Sequence, residues 1–116
     1  MRHRKNKITL SRTAGERNAL ARKLTIALFE HGKIRTTVAR ARFVRRFAEP
    51  LITKAKPGTL TARRQVIAAL GNAPAAENVL ERAKQYATRN GGYTRVTKLP
   101  AHRAGDGTPM VLLELV

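Results

Sequence analysis

The chain has 116 residues, 42% of them hydrophobic, with 24 Lys+Arg against 7 Asp+Glu and a formal net charge of +17. That length suits one domain with a single modest core, and that charge makes a compact body repel itself unless a polyanion neutralises it. There is no cysteine, which excludes a disulfide framework and a thiolate zinc site, and no apolar run approaches the ~18 residues of a membrane-spanning helix.

In chain order, MRHRKNKITLSR (1–12) holds five cations and no acid, and reads as an extended basic arm preceding a single domain over 13–116. The arm lacks the apolar stretch of a secretion signal, so the expected location is the cytoplasm. Thr13 to Glu16 fits a capping box. Behind it Leu20, Leu24, Ala27 and Leu28 fall on one helical face, with Arg22 and Lys23 well away from it. His31-Gly32 closes this helix, glycine supplying the left-handed C-terminal position. KIRTT (33–37) predicts a brief strand.

A threonine of Thr36-Thr37 then caps a second helix to about Ala55. Its stripe is Ala41, Val44, Ala48, Leu51, Ile52 and Ala55, and Arg42, Arg45, Arg46, Glu49 and Lys56 gather on the opposite side. Pro50 lies inside this pattern and either kinks or breaks the helix. After the Lys56-Pro57-Gly58 turn comes a third helix, with Leu60, Ile67 and Leu70 inward. Asn72 caps a fourth, Pro74 sits in its first turn, and Val79, Leu80, Ala83, Tyr86 and Ala87 form its buried stripe. YTRVTKL (93–99) and MVLLELV (110–116) flank a Gly/Pro-rich connector and predict a hairpin-like pair. The last run is apolar enough to sit centrally in a small sheet. The elements add up to an α+β fold, four helices against three strands.

Catalytic chemistry finds little support. The seven acids are scattered, Glu77 and Glu81 form an exposed i, i+4 pair, and Glu16 serves a cap. His3, His31 and His102 have no metal-ligand spacing, and the sole serine, Ser11, is flanked by arginine. AGDG (104–107) does not open a helix and lacks the P-loop lysine, so it reads as a tight turn. No enzyme, cofactor, metal or small-molecule substrate is expected.

The cations are more informative. Residues 1–64 hold 18 basic and 3 acidic side chains, net +15, whereas residues 65–116 hold 6 and 4, net +2. Arginine outnumbers lysine 16 to 8, and its planar fork grips phosphate bidentately and stacks on bases. An acid-free arm, an arginine stripe and a near-neutral second half together point to nucleic acid, with the arm ordering as it threads between phosphate strands. No helix-turn-helix, zinc finger, zipper or aromatic RNA-recognition signature is present. That favours structured RNA bound through shape and backbone, with a nucleoid-type DNA-binding protein as the alternative. A membrane surface is disfavoured, since no basic amphipathic helix carries large aromatic anchors.

MRHRK (1–5), EPLITKAK (49–56), GGYTR (91–95) and HRAGDGTPM (102–110) go further. Their order and spacing resemble the bacterial large-subunit ribosomal protein L17 (bL17) family across nearly the whole chain, most weakly over about 58–82. The resemblance implies helices packed on a small, three-stranded mixed sheet. It implies binding to large-subunit (23S) ribosomal RNA on the solvent side near the exit of the peptide tunnel, with ribosomal protein L32 as a neighbour. Arg2, His3, Arg4, Lys5, Tyr93, Arg95 and Arg103 match the motifs and are carried over as RNA contacts. Tyr93 has two readings, stacking on RNA or packing the start of its strand. Arg42, Arg45 and Arg46 rest on the helix pattern, and Lys7, Arg12, Arg22, Lys23 and Arg35 complete the candidate set.

Overall fold

The computed structural model describes residues 3 and 8–116. Helix α1 (Ala14–His31) leads into strand β1 (Lys33–Thr37) and helix α2 (Val38–Ala55). Helices α3 (Leu60–Leu70) and α4 (Ala73–Ala83), a 3-10 turn (Lys84–Tyr86), and strands β2 (Thr94–His102) and β3 (Pro109–Leu115) follow. Each helix starts at a polar cap accepting from the backbone N–H three residues on. The four caps are Thr13, Thr37, Thr59 and Asn72, at 3.3, 3.4, 3.2 and 3.1 Å. Gly32 (φ 82°) and Gly71 (φ 68°) end α1 and α3 in the left-handed conformation, which costs glycine little.

Half of the expected arm, including Arg2, Arg4, Lys5 and Lys7, lies outside the described residues. Its last part is not extended. Leu10 and Ser11 take positive φ (51° and 54°), and the Arg12 N–H donates to the Thr9 carbonyl at 3.0 Å. This is a tight turn that reverses the chain just before α1, built with two L-residues in a region they rarely occupy.

The sheet order is β1-β3-β2, with both pairings antiparallel. The expected mixed sheet is therefore corrected to an antiparallel one. Strands β1 and β2 run the same way, but β3 lies between them, so no two parallel strands touch. The central place expected for the last strand is the one it occupies. Strand β2 runs three residues further than expected, into the Gly/Pro-rich segment. A register irregularity between Lys98 and His102 accommodates Pro100 on this edge strand, where a missing N–H does least harm.

The core gathers Leu28, Phe29, the α2 stripe, Val66, Leu70, Val79, Tyr86, Tyr93, Val111 and Leu113. All six expected α2 positions are buried, and the helix runs on through Pro50 to Ala55, so the proline does not break it. Helix α1 is rotated from its expected face. It buries Ala21, Thr25, Leu28 and Phe29, while Leu20, Leu24 and Ala27 are only half-buried. Small residues at 21 and 25 let α1 lie close to its neighbours. In α3 the inward set is Ala62, Val66 and Leu70, and Leu60, two residues and about 200° from Ala62, is 62% exposed. Helix α4 buries Ala75, Ala76, Val79 and Ala83. Leu80 is half-buried and Ala87 exposed, because the backbone tightens into the 3-10 turn that carries Tyr86 inward.

Candidate nucleic-acid interface

The buried stripe of α2 leaves Arg42, Arg45 and Arg46 exposed on its other flank. Arg45 lies 3.8 Å from Glu49, an i, i+4 contact that orients the guanidinium without burying it. An open groove of about 520 Å³ runs beside this flank, lined by Arg45, Arg46, Lys54 and Glu49 together with Pro50, Thr53, Gly91 and Tyr93. Lys54 adds a cation that the sequence reading did not single out.

A second groove, of about 390 Å³, brings together residues distant in sequence. Arg12 reaches it from the turn before α1, Arg40 from the first turn of α2 and Arg103 from the loop joining β2 to β3. The Arg103 guanidinium is held in place. Its Nε donates to Asp106 at 3.1 Å, its Nη2 contacts the second carboxylate oxygen, and it lies 3.4 Å from the Thr108 hydroxyl. The Arg103 guanidinium, then the Thr108 hydroxyl and N–H, hold the Asp106 carboxyl below the usual carboxylate range. Asp106 in turn raises the guanidinium pKa. The AGDG segment is thus a turn that presents an arginine.

Other candidates take part in the fold itself. Arg22 Nε donates to the Ala69 carbonyl at 3.0 Å, tying α1 to the last turn of α3, where a cation also complements the helix dipole. Arg95, exposed on β2, pairs with Glu114 on β3 at 2.9 Å. Lys23, Arg35 and His3 are exposed. Two arginines outside the candidate set also hold the structure: Arg82 Nε donates to the Phe29 carbonyl at 2.6 Å, and Arg17 Nη1 to the Arg12 carbonyl at 2.7 Å. Helix endings are legible in sequence. Which distant arginine will cap them is not.

Tyr93 packs at the start of its strand. It is 2% exposed, and its ring lies 5.2 Å from that of Tyr86 with Lys56 Nζ 4.8 Å from its own centroid. Its hydroxyl donates to the Arg89 carbonyl at 3.2 Å and accepts from Thr53 at 3.4 Å. Lys56 first, then Thr53, lower the phenol pKa. A ring packed in this way braces the start of β2, and it also lines the groove beside Arg45 and Arg46.

Among the described residues, no group of three or more His, Asp or Glu side chains could hold a metal ion. Nor is any of their helices long and apolar enough to cross a membrane.

A basic α+β domain, with four helices, a three-stranded antiparallel sheet and arginines exposed along one helix flank, defines the class to which this chain belongs. The family described as ribosomal protein L17 matches residues 20–116. Relatives named large ribosomal subunit protein bL17 align over all of this chain. The one from Gemmatimonas aurantiaca is 47% identical, with 98% of its length covered, and the one from Desulforapulum autotrophicum is 41% identical, with 97% covered. That from Desulfosudis oleivorans is 46% identical, and there the chain spans 56% of the relative's length. The chain belongs to the ribosomal protein L17 family, whose members are components of the large (50S) subunit of the translating ribosome.

Proposed function

We propose that the chain is a non-catalytic structural constituent of the bacterial large subunit, bound to folded 23S ribosomal RNA near the exit of the peptide tunnel. In this reading it is cytoplasmic and ribosome-bound, and ribosomal protein L32 is its neighbour. The observation that carries the RNA contact is the convergence of Arg12, Arg40 and Arg103 on one groove from three separate parts of the chain. Three forked cations fixed by one fold suit the closely spaced phosphates of a folded RNA better than a single point charge.

The arm over 1–12, with Arg2, His3, Arg4, Lys5, Lys7 and Arg12, extends the contact from the domain over 13–116. Arg42, Arg45 and Arg46 continue it along α2. Lys23 and Arg35 add exposed charge, and Arg22 and Arg95 serve the RNA with whatever donors their internal partners leave. Each neutralised phosphate releases counterions, so affinity falls with salt by about 0.7–0.9 log unit per contact per log unit of salt.

The test is binding of the purified chain to 23S rRNA and to duplex DNA over a salt series, beside the triple variant Arg12→Ala, Arg40→Ala, Arg103→Ala. The reading predicts preference for 23S rRNA and a slope about two units shallower in the variant. An unchanged slope would remove the groove from the contact. Equal affinity for duplex DNA would favour a nucleoid-type protein.

A further inference from the structure

The segment Arg42-Phe43-Val44-Arg45-Arg46-Phe47 interleaves cations with aromatics on one helix. Phe43 and Phe47 are i, i+4 neighbours and so lie side by side on α2. Neither belongs to the buried stripe: Phe47 rests partly buried against the core, and Phe43 is half-buried outside the core cluster. Both line a groove of about 270 Å³ at the α1–α2 seam, with Ile8, Ala21, Asn18, Arg17 and Arg46. Among the described residues the lining holds two cations and no acid.

We infer that this groove takes one unstacked nucleobase, whose face lies on Phe43 and Phe47 and whose flanking phosphates meet Arg17 and Arg46. The inference rests on the rRNA reading above and names one contact within it. The groove is smaller than the ~300–1,000 Å³ clefts that enclose drug-sized ligands, a size suited to one flat ring system. Its lining combines two phenyl rings and aliphatic side chains with two cations. Arg17 gives one N–H to a neutral carbonyl, which leaves its charge uncancelled there. An apolar protein side chain would match the phenyl rings but bring no charge to Arg17. A nucleotide brings both the flat ring and the anion. The Asn18 amide, with a donor and an acceptor, can meet a base edge.

The test uses the full chain and 23S rRNA over a salt series, comparing wild type with Phe43→Leu and Phe43→Tyr. Leucine keeps the apolar cover of the seam and removes the aromatic face, whereas tyrosine keeps the face. Phe43→Leu is expected to weaken binding roughly 5- to 100-fold, the range of one base–aromatic stack, with an unchanged salt slope. Phe43→Tyr is expected to bind within about 3-fold of wild type.

Wild-type affinity in the leucine variant overturns the inference and leaves this face to a protein neighbour. A loss equal in both variants also overturns it. A wild-type chain that does not bind 23S rRNA overturns the rRNA reading itself, and this contact with it. Should the leucine variant not fold, ultraviolet cross-linking of the wild-type complex decides. Nucleotide attached at Phe43 or Phe47 supports the inference, and cross-links confined to other segments overturn it.

Discussion

The carboxylate of Glu49 accepts two hydrogen bonds from a residue 45 positions away, the Thr94 N–H at 3.2 Å and the Thr94 hydroxyl at 2.9 Å. Thr94 is buried at the start of β2, so this one acid ties the sheet to α2. Glu49→Ala strands two buried donors, and we expect a loss of about 1–3 kcal/mol. Glu49→Gln keeps an acceptor and should lose less. Urea unfolding checks both, and an alanine variant as stable as wild type would contradict the role. In the sequence Glu49 sits among arginines and reads as part of a solvated basic flank, because its partner is remote and a period of 3.6 says nothing about it. Tyr93 has the same problem. Its place in the GGYTR motif marks it out, but only the packed ring and bonded hydroxyl show that it takes part in the core.

Among elements, legibility followed the clarity of the apolar stripe. Helix α2 alternates alanine and aliphatic residues against arginine, so period alone locates its six buried positions. Helix α1 carries apolar residues on several sides and buries Thr25, a residue that a polar/apolar pattern places outside. The face read from it is consequently turned by about one residue, or about 100°. The sheet order depended on recognising β3 as the most apolar strand, whereas strand direction followed only from where β3 inserts. The end of α1 shows what pattern reading omits. Arg82 of α4 donates to the Phe29 carbonyl at 2.6 Å and lies beside Gly32, where an added Cβ would come within 3.4 Å of the guanidinium. Arg82→Ala removes a charged bond to a helix C-terminus in a part-buried position, and should cost about 1–2 kcal/mol. A denaturant midpoint shift smaller than that of an exposed control such as Arg64→Ala would contradict the capping role.

At the scale of the whole molecule, charge and fold divide the labour. Residues 1–64 carry net +15 and residues 65–116 net +2, and the latter supply the second half of α3, α4 and two of the three strands that brace α1 and α2. The near-neutral half thus holds the cationic half in shape, and a rigid cationic surface loses less entropy on meeting RNA than a flexible one. Several arginines that net charge alone would assign to RNA are partly occupied inside the fold, among them Arg22, Arg82 and Arg95. Among the described residues the cations left for a polyanion are accordingly fewer than +17 suggests, and the proposed contact centres on α2 and the Arg12–Arg40–Arg103 groove. The most direct test of the central claim is sedimentation of the tagged chain from cell lysate through a gradient in high salt. The account predicts co-migration with the large ribosomal subunit, at salt that strips loosely bound basic proteins. Release to the top of the gradient, with recovery on duplex DNA, would contradict it.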